Sequence, residues 1–322
     1  MSFITWYDFV DLWYKLRERG TGYAAKKLVS DAESRIRSTW DDDELPGSNW
    51  WQVDAVRKRW NELITGNEDL IYPDHVVQQF LPGKTGLTML SIGCGTGQRE
   101  LEFGKHACFK RIDAFDIAPK AIDDANRSAK ELNINICNFF VGDVYKDAWP
   151  DEGYDIVLFH SSLHHFTNID NILARVKATL KRGGLVIINE YVGANRFGFS
   201  PGRKKQVNNI YKHHIPDEFK TRKTSNAFKR QVYFPGLLRM VISDPSEAVE
   251  SSTILPLMEK QFKLIEQKNY GGNLLTFILK DIAHQFNKPG AQPVLKKLFL
   301  LEDQMMEKEQ QSDFVFAVYK KA

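Results

Sequence analysis

The sequence predicts an α/β fold, a doubly wound parallel sheet, on three observations. Strand-like and helix-like segments alternate from Leu87 to Glu190. A glycine-rich turn at 93–97 follows the first apolar run directly. Asp116 closes the second strand-like run 23 residues after Gly93, about where a carboxylate meets a ribose in a nucleotide-binding βαβ unit.

The elements follow in order. Thr88–Ile92 is the first strand and runs into Gly93, Gly95 and Gly97, residues suited to a sharp turn and close approach of a ligand to the backbone. Arg99–Cys108 reads as a helix, and Ile112–Ile117 as the second strand. In Ala118–Leu132, Ala121, Ile122, Ala125, Ala129 and Leu132 share one face at helical period. Ile136–Val141 is a third strand, and Tyr154–Phe159 a fourth, apolar apart from Asp155 at its start as a doubly buried strand should be. Asp170–Lys181 is a helix with Ile172, Leu173, Val176 and Leu180 inward and Gly183 and Gly184 as its stop signal. Leu185–Glu190 is the fifth strand. Phe262–Tyr270 and Phe314–Tyr319 are strand-like around a helical stretch, 274–310, broken at Pro289 and Gly290. The 86 residues before the sheet read as helical and rich in tryptophan (Trp6, Trp13, Trp40, Trp50, Trp51, Trp60). They suit a cap over the crevice or, alternatively, an independent interaction module.

Composition narrows the function classes. The 322 residues are 43% hydrophobic and 26% charged, ordinary for a soluble globular protein. No apolar run approaches the ~18 residues of a membrane span, and the first residues lack the pattern of a signal peptide. Cys94, Cys108 and Cys137 have no metal-ligand spacing and fit reduced thiols in a cytoplasmic protein. No metal constellation is legible. The net charge of +3 does not call for nucleic acid as a partner. The charge is uneven, however: from Val192 to Arg230 ten Lys or Arg residues face only Asp217 and Glu218.

A dinucleotide motif would place its third glycine at 98, where this chain has Gln98, so a nicotinamide oxidoreductase is disfavoured. Gly-x-Gly-x-Gly resembles the first motif of the class I S-adenosylmethionine (SAM) methyltransferases. The resemblance is firm over Leu87–Glu190. It implies a Rossmann-like seven-stranded sheet, five parallel strands plus a C-terminal antiparallel pair. It further implies a helical N-terminal cap (1–86), a SAM-binding core (87–191), an acceptor-binding lid after the fifth strand (192–260) and a C-terminal segment completing the sheet (261–322). On this resemblance Gly93, Cys94, Gly95, Gly97 and Gln98 pass under the methionine and ribose of SAM. Asp116 and Ile117 stand at the ribose, Gly142, Asp143 and Val144 at the adenine, and His160 and Ser161 at the sulfonium end. One position departs from the pattern: Ser91 stands where the family often has an acid, so the methionine amino group needs its anion elsewhere.

The segment Ser161–Phe166 contains Leu163, His164 and His165. It is similar to sugar O-methyltransferases in which a histidine here takes the acceptor's proton. The resemblance points to His164 as base, His165 in a packing or helix-start role, and Glu190 orienting the base or holding a hydroxyl. The stretches 189–197, 244–249 and 254–256, with 56–61 and 112–117, look like bacterial methyltransferases associated with surface-polysaccharide assembly. That resemblance implies methyl transfer to a hydroxyl of a sugar, nucleotide sugar or phosphorylated glycan, with Tyr191, Arg196, Arg203 and Lys204 at the acceptor. The basic stretch suits an anionic acceptor or, equally, a solvated basic face. The alternatives are a small-molecule methyltransferase acting on a phenol or amine, and a SAM-binding assembly protein without turnover.

Overall fold

The computed structural model describes residues 48–149, 153–223 and 225–322, with Ile4, Thr5 and Asp8. Seven strands among them form one sheet: β1 (Leu87–Ile92), β2 (Phe109–Asp116), β3 (Cys137–Val141), β4 (Tyr154–His160), β5 (Leu180–Tyr191), β6 (Lys263–Gly271) and β7 (Phe314–Lys320). Their order is β3-β2-β1-β4-β5-β7-β6. The first five are parallel, and β7 runs antiparallel to both β5 and β6. This is the Rossmann-like sheet with a C-terminal antiparallel pair.

The principal helices are α1 (Asp54–Thr65), α2 (Tyr72–Phe80), α3 (Gln98–Gly104), α4 (Pro119–Glu131), α5 (Ile169–Thr179), α6 (Pro201–His214), α7 (Leu237–Ser243), α8 (Ile254–Gln261), α9 (Leu275–Leu279) and α10 (Gln292–Glu309). Several start on legible signals. Proline occupies the first turn of α2, α4 and α6, where no backbone N–H is needed. The Ser200 hydroxyl caps α6 by accepting from the Arg203 amide.

Alternation along β4 sorts the layers. Val157 and Phe159 point to one face and pack with Ile172, Leu173 and Val176 of α5 and Ile254 and Met258 of α8. Ile156 and Leu158 point to the other and meet Tyr72 and Val76 of α2 and Phe103 of α3. The end of the lid, carried by α8, therefore belongs to the core layer. A third cluster joins Trp50 and Val56, Phe199, Val207 and Tyr211, Leu275 and Ile278, and Leu295 and Leu298. The described N-terminal segment, the lid and the C-terminal helices thus share one hydrophobic core. Trp50 packs edge-on against Trp60, ring centroids 4.5 Å apart; Trp6, Trp13 and Trp40 lie outside the described residues.

β5 starts five residues before the expected position. Tyr154 pairs with Leu180, but Ile156 pairs with Leu185, so the intervening residues bulge from the strand. Gly183, at φ +74°, takes the bend, and its amide donates to the Lys321 carbonyl. The two glycines mark a strand bulge here, and α5 ends earlier, at Thr179.

The basic stretch fastens the segment after β5 to the C-terminal segment. Arg203 forms an ion pair with Asp313 and donates to the Asn273 carbonyl. Arg222 pairs with Asp281 at 2.8 Å. The buried Lys229 ammonium donates to the carbonyls of Phe277, Ile278 and Lys280 at the end of α9, while burial brings its pKa down to about 7. Arg203→Met leaves Asp313, 1% exposed, without its countercharge, and removing one partner of such a pair costs about 3–5 kcal/mol. Denaturant unfolding should register that loss, whereas the exposed Lys205→Met should stay within about 0.5 kcal/mol of the parent.

Candidate active site

In an open α/β sheet, ligands bind beyond the carboxyl ends of the strands, where the strand order reverses. Here that point lies between β1 and β4, which are neighbours in the sheet. The turn after β1 is built from three glycines with positive φ: Gly93 (+73°), Gly95 (+53°) and Gly97 (+71°). A Cβ at Gly97 would lie 2.5 Å from the Phe139 ring, and one at Gly93 would lie 2.7 Å from the Ser162 Cβ. A Cβ at Gly95 would meet nothing within 4 Å among the described residues. Gly93 and Gly97 serve the packing of the turn, while Gly95 leaves its backbone open to a ligand. The amides of Gly93 and Cys94 both donate to the Phe115 carbonyl, tying the turn to β2. Burial raises the Cys94 thiol pKa well above its ordinary value, which fits a packing role better than a reactive thiol.

Asp116 sits at the end of β2. Its Oδ2 accepts from the Gly95 amide at 2.8 Å and its Oδ1 from the Ala118 amide at 3.0 Å. Burial pushes its pKa up, against the backbone donors. Each oxygen keeps a further lone pair for a hydroxyl donor. Ile117 follows it directly, and the Gly142 amide beyond β3 donates to the Asp116 carbonyl. Asp143 Oδ1 accepts from the Tyr145 amide, and its Oδ2 lies 3.3 Å from Lys146 Nζ. Val144 is buried in the core under β4. Gln98 opens α3.

At the end of β4, His160 stacks on Tyr72, centroids 5.6 Å apart, and its Nε2 accepts from Arg99 Nε at 3.4 Å. Burial first, then the Arg99 charge, lowers its pKa to about 3, so the ring is neutral. Ser161 adopts φ +51°, and its amide donates to the Asn189 carbonyl. Ser91 donates to Glu100 Oε1 at 2.5 Å, which places a carboxylate from α3 beside position 91. Burial raises the Glu100 pKa to about 7.

Among the described residues of this region, three buried polar atoms have no hydrogen-bond partner: His160 Nδ1, the Tyr72 hydroxyl and Glu100 Oε2. Orphaned buried groups call for an explanation, and a zwitterionic amino acid beside the glycine turn would supply one. The open cradle at Gly95, the carboxylate of Asp116 and these orphans fit SAM. Tyr72, Arg99 and Glu100 were not singled out in the sequence, because nothing local marks them as neighbours of His160 and Ser91.

Glu190, fully buried at the end of β5, is the hub of the second half. Its Oε1 accepts from the amides of Ser162 and Leu163 at 2.6 and 2.7 Å, and its Oε2 from His164 Nδ1 at 2.6 Å. Burial opposes charge on His164, but the carboxylates of Glu190, Glu247 and Asp244 prevail and raise its pKa above the usual histidine value. His165 lies beside it, ring centroids 4.2 Å apart, and is held below the usual value by burial and by His164. The carboxylate partner thus goes to His164, while His165 Nδ1 lies 3.1 Å from the Ser246 hydroxyl.

The segment 244–249 packs on this side. Glu247 Oε1 lies 3.8 Å from His164 Nε2, and the Val249 amide donates to the His164 carbonyl. Asp244, Ser246 and Glu247 had been noted only as part of a similar stretch, not as site residues; lid folding brings them in. Arg196 donates to the carbonyls of Pro245 and Glu247, so it holds this segment in place. Tyr191 is buried against His164, and its hydroxyl donates to the Ala194 carbonyl. Lys204 lies over the Phe234 ring, 5.5 Å from its centroid. Arg196 and Arg203 therefore have protein partners, and of the expected acceptor cations Lys204 is the one that, among the described residues, is not drawn into an ion pair or a carbonyl cap.

Comparison with known proteins agrees with the fold. Residues 90–188 match the family model described as a methyltransferase domain. The chain is 25% identical over 179 residues to the 27-O-demethylrifamycin SV methyltransferase of Amycolatopsis mediterranei, covering 54% of this chain and 58% of that one. It is 30% identical over 108 residues to an uncharacterised methyltransferase of Schizosaccharomyces pombe, covering 32% of this chain and 39% of that one. The chain thus spans about half the length of these curated relatives. Among solved structures, Haemonchus contortus phosphoethanolamine N-methyltransferase 2 in complex with S-adenosyl-L-methionine superposes with a TM-score of 0.50 at 16% identity, covering 89% of this chain and 60% of that one. That likeness concerns the fold.

Proposed function

We propose that this chain, whose residues 90–188 match a methyltransferase domain, uses S-adenosylmethionine to transfer a methyl group to a hydroxyl of a sugar, nucleotide sugar or phosphorylated glycan. The observation that carries this reading is the buried His164–Glu190 pair, 2.6 Å apart, at the carboxyl end of β5. When bound, SAM supplies an electrophilic methyl on a sulfonium sulfur. Gly93, Gly95, Gly97 and Asp116 hold the nucleoside side, and Tyr72, Arg99, His160 and Glu100 the amino-acid end. His164 donates Nδ1–H to Glu190, which leaves Nε2 as the acceptor for an alcohol proton. A base in that position contributes about 10²–10⁴ in rate, and alignment of the acceptor oxygen contributes further.

The charge of the acceptor is a finer matter. Glu247 and Asp244 stand beside the histidines, and Arg196 and Arg203 are engaged by the protein. This favours a polyhydroxy acceptor reached through neutral hydroxyls; any anionic part would be met by Lys204 and the neighbouring Lys205. A second reading, methylation of a secondary metabolite, draws support from the relative named for a rifamycin oxygen. Incubation with methyl-labelled SAM and a panel of free sugars, nucleotide sugars, phosphorylated glycans, phenols and amines, read by mass spectrometry, separates the two. One methyl gained by a glycan member supports the first; gain by phenols or amines alone defeats it.

The base must be deprotonated to act, and the carboxylates of Glu190, Glu247 and Asp244 raise its pKa. Activity should therefore fall as pH drops through a value above that of an ordinary histidine. Glu247→Gln removes one of these charges and should move the acidic limb of the kcat–pH profile to lower pH.

A further inference from the structure

We propose that His164, His165 and Glu247 form a binding site for a divalent transition metal of the zinc class, and that the metal switches off the His164 base. The three residues each offer one ligand atom, and these atoms lie within 4.8 Å of one another. The lone pairs are arranged for it. His164 donates its Nδ1–H to Glu190. The Ser246 hydroxyl donates to Asp244 Oδ1 at 2.6 Å, so at 3.1 Å from His165 Nδ1 its oxygen accepts the ring proton. His164 therefore presents Nε2 as its acceptor nitrogen, and each ring is oriented through Nδ1 by an oxygen that is itself fixed. Metal-ligating histidines are held in the same way, with the second N–H on a carboxylate, carbonyl or water.

The third ligand is also pre-placed. Arg196 donates to the carbonyl of Glu247, its own amide donates to the Ala248 carbonyl, and the Val249 amide reaches His164. The loop carrying Glu247 is thus stitched to the histidine loop on both sides of that residue. Its carboxylate oxygen is 3.8 Å from His164 Nε2. A tetrahedral zinc site with bonds near 2.0–2.1 Å has ligand atoms roughly 3.4 Å apart, so the groups, within 4.8 Å of one another, need to draw in by up to about 1.4 Å. Glu247, with its side chain 30% exposed, has the freedom to do so. Two imidazoles and one carboxylate suit zinc, cobalt, nickel or copper rather than magnesium or calcium. Sequence spacing hid the site because Glu247 comes from the lid.

The inhibitory half of this proposal rests on the functional reading above; the binding half does not. A metal on His164 Nε2 occupies the nitrogen that would take the acceptor's proton. The test uses the untagged full chain, stripped with a chelator and titrated with Co²⁺ and Zn²⁺. One Co²⁺ per chain, with visible absorption bands of a low-coordinate site and displacement by Zn²⁺, is expected. His165→Ala and Glu247→Ala should each weaken binding at least tenfold, while circular dichroism and S-adenosylhomocysteine affinity show that the variants are folded. Absence of Co²⁺ binding, or equal binding by parent and both variants, overturns the site. Where methyl transfer is measurable, Zn²⁺ should abolish it and chelator should restore it; turnover unaffected by saturating Zn²⁺ overturns the switch. A chain that binds Co²⁺ as described but methylates no acceptor defeats the functional reading and leaves the metal site standing.

Discussion

Glu190→Gln should lower kcat by about 10²–10⁴-fold while S-adenosylhomocysteine still binds. The carboxylate accepts three hydrogen bonds, two from the backbone of the histidine loop and one from His164. A glutamine can keep its oxygen on the two amides, which leaves its NH₂ facing His164 Nδ1. The ring must then accept at Nδ1 and carry its proton on Nε2, the nitrogen that should receive the acceptor's proton. The same reversal of tautomer costs about 10⁴ in kcat when the orienting aspartate of a Ser–His–Asp triad becomes asparagine. Glu190→Ala is the less informative change, because it leaves two buried amides unpaired and damages the fold. His164→Ala should match the glutamine variant in turnover. His165→Ala should lose far less if His165 has only a packing role.

Asp116→Ala should weaken SAM and S-adenosylhomocysteine together by roughly 100-fold or more in Kd. Hydrogen bonds to a charged group contribute about 1.5–3 kcal/mol each, and a ribose diol offers two to this carboxylate; 1.4 kcal/mol is a factor of ten. Part of the loss is indirect, since Asp116 also fixes the Gly95 amide at 2.8 Å and hence the open side of the turn. Asp116→Asn separates the two contributions. It keeps one acceptor oxygen and the shape of the loop, so its defect should be smaller than that of alanine and confined to affinity.

Legibility followed sequence distance. The parallel strands and the glycine turn are carried by local patterns, and the sheet contains each of the segments read as strands. The end of α5 was misplaced because Gly183 and Gly184 carry the same signal for a helix stop and for a strand bulge, and only the pairing of Tyr154 with Leu180 and Ile156 with Leu185 distinguishes them. The basic stretch was read from charge alone. The acids that absorb it, Asp281 and Asp313, lie far along the chain, and no local pattern announces them. The candidate site divides in the same way. Asp116 and Glu190 stand at or next to the ends of β2 and β5, and His164 in the turn after β4; the spacing from the glycine turn marks the first, and the family resemblance marks the other two. Glu247 and Tyr72 reach the crevice through packing of the lid and of α2, which the fold decides. Ser91 and Glu100 are an intermediate case, two residues on either side of one turn whose contact becomes evident only once the turn is built.

The most direct test of the central claim is titration calorimetry of the folded chain with S-adenosylhomocysteine and, in parallel, with NAD. One molecule of the homocysteine product bound per chain, with no heat from NAD, is the predicted result. A folded chain that binds neither, or that binds NAD instead, contradicts the account.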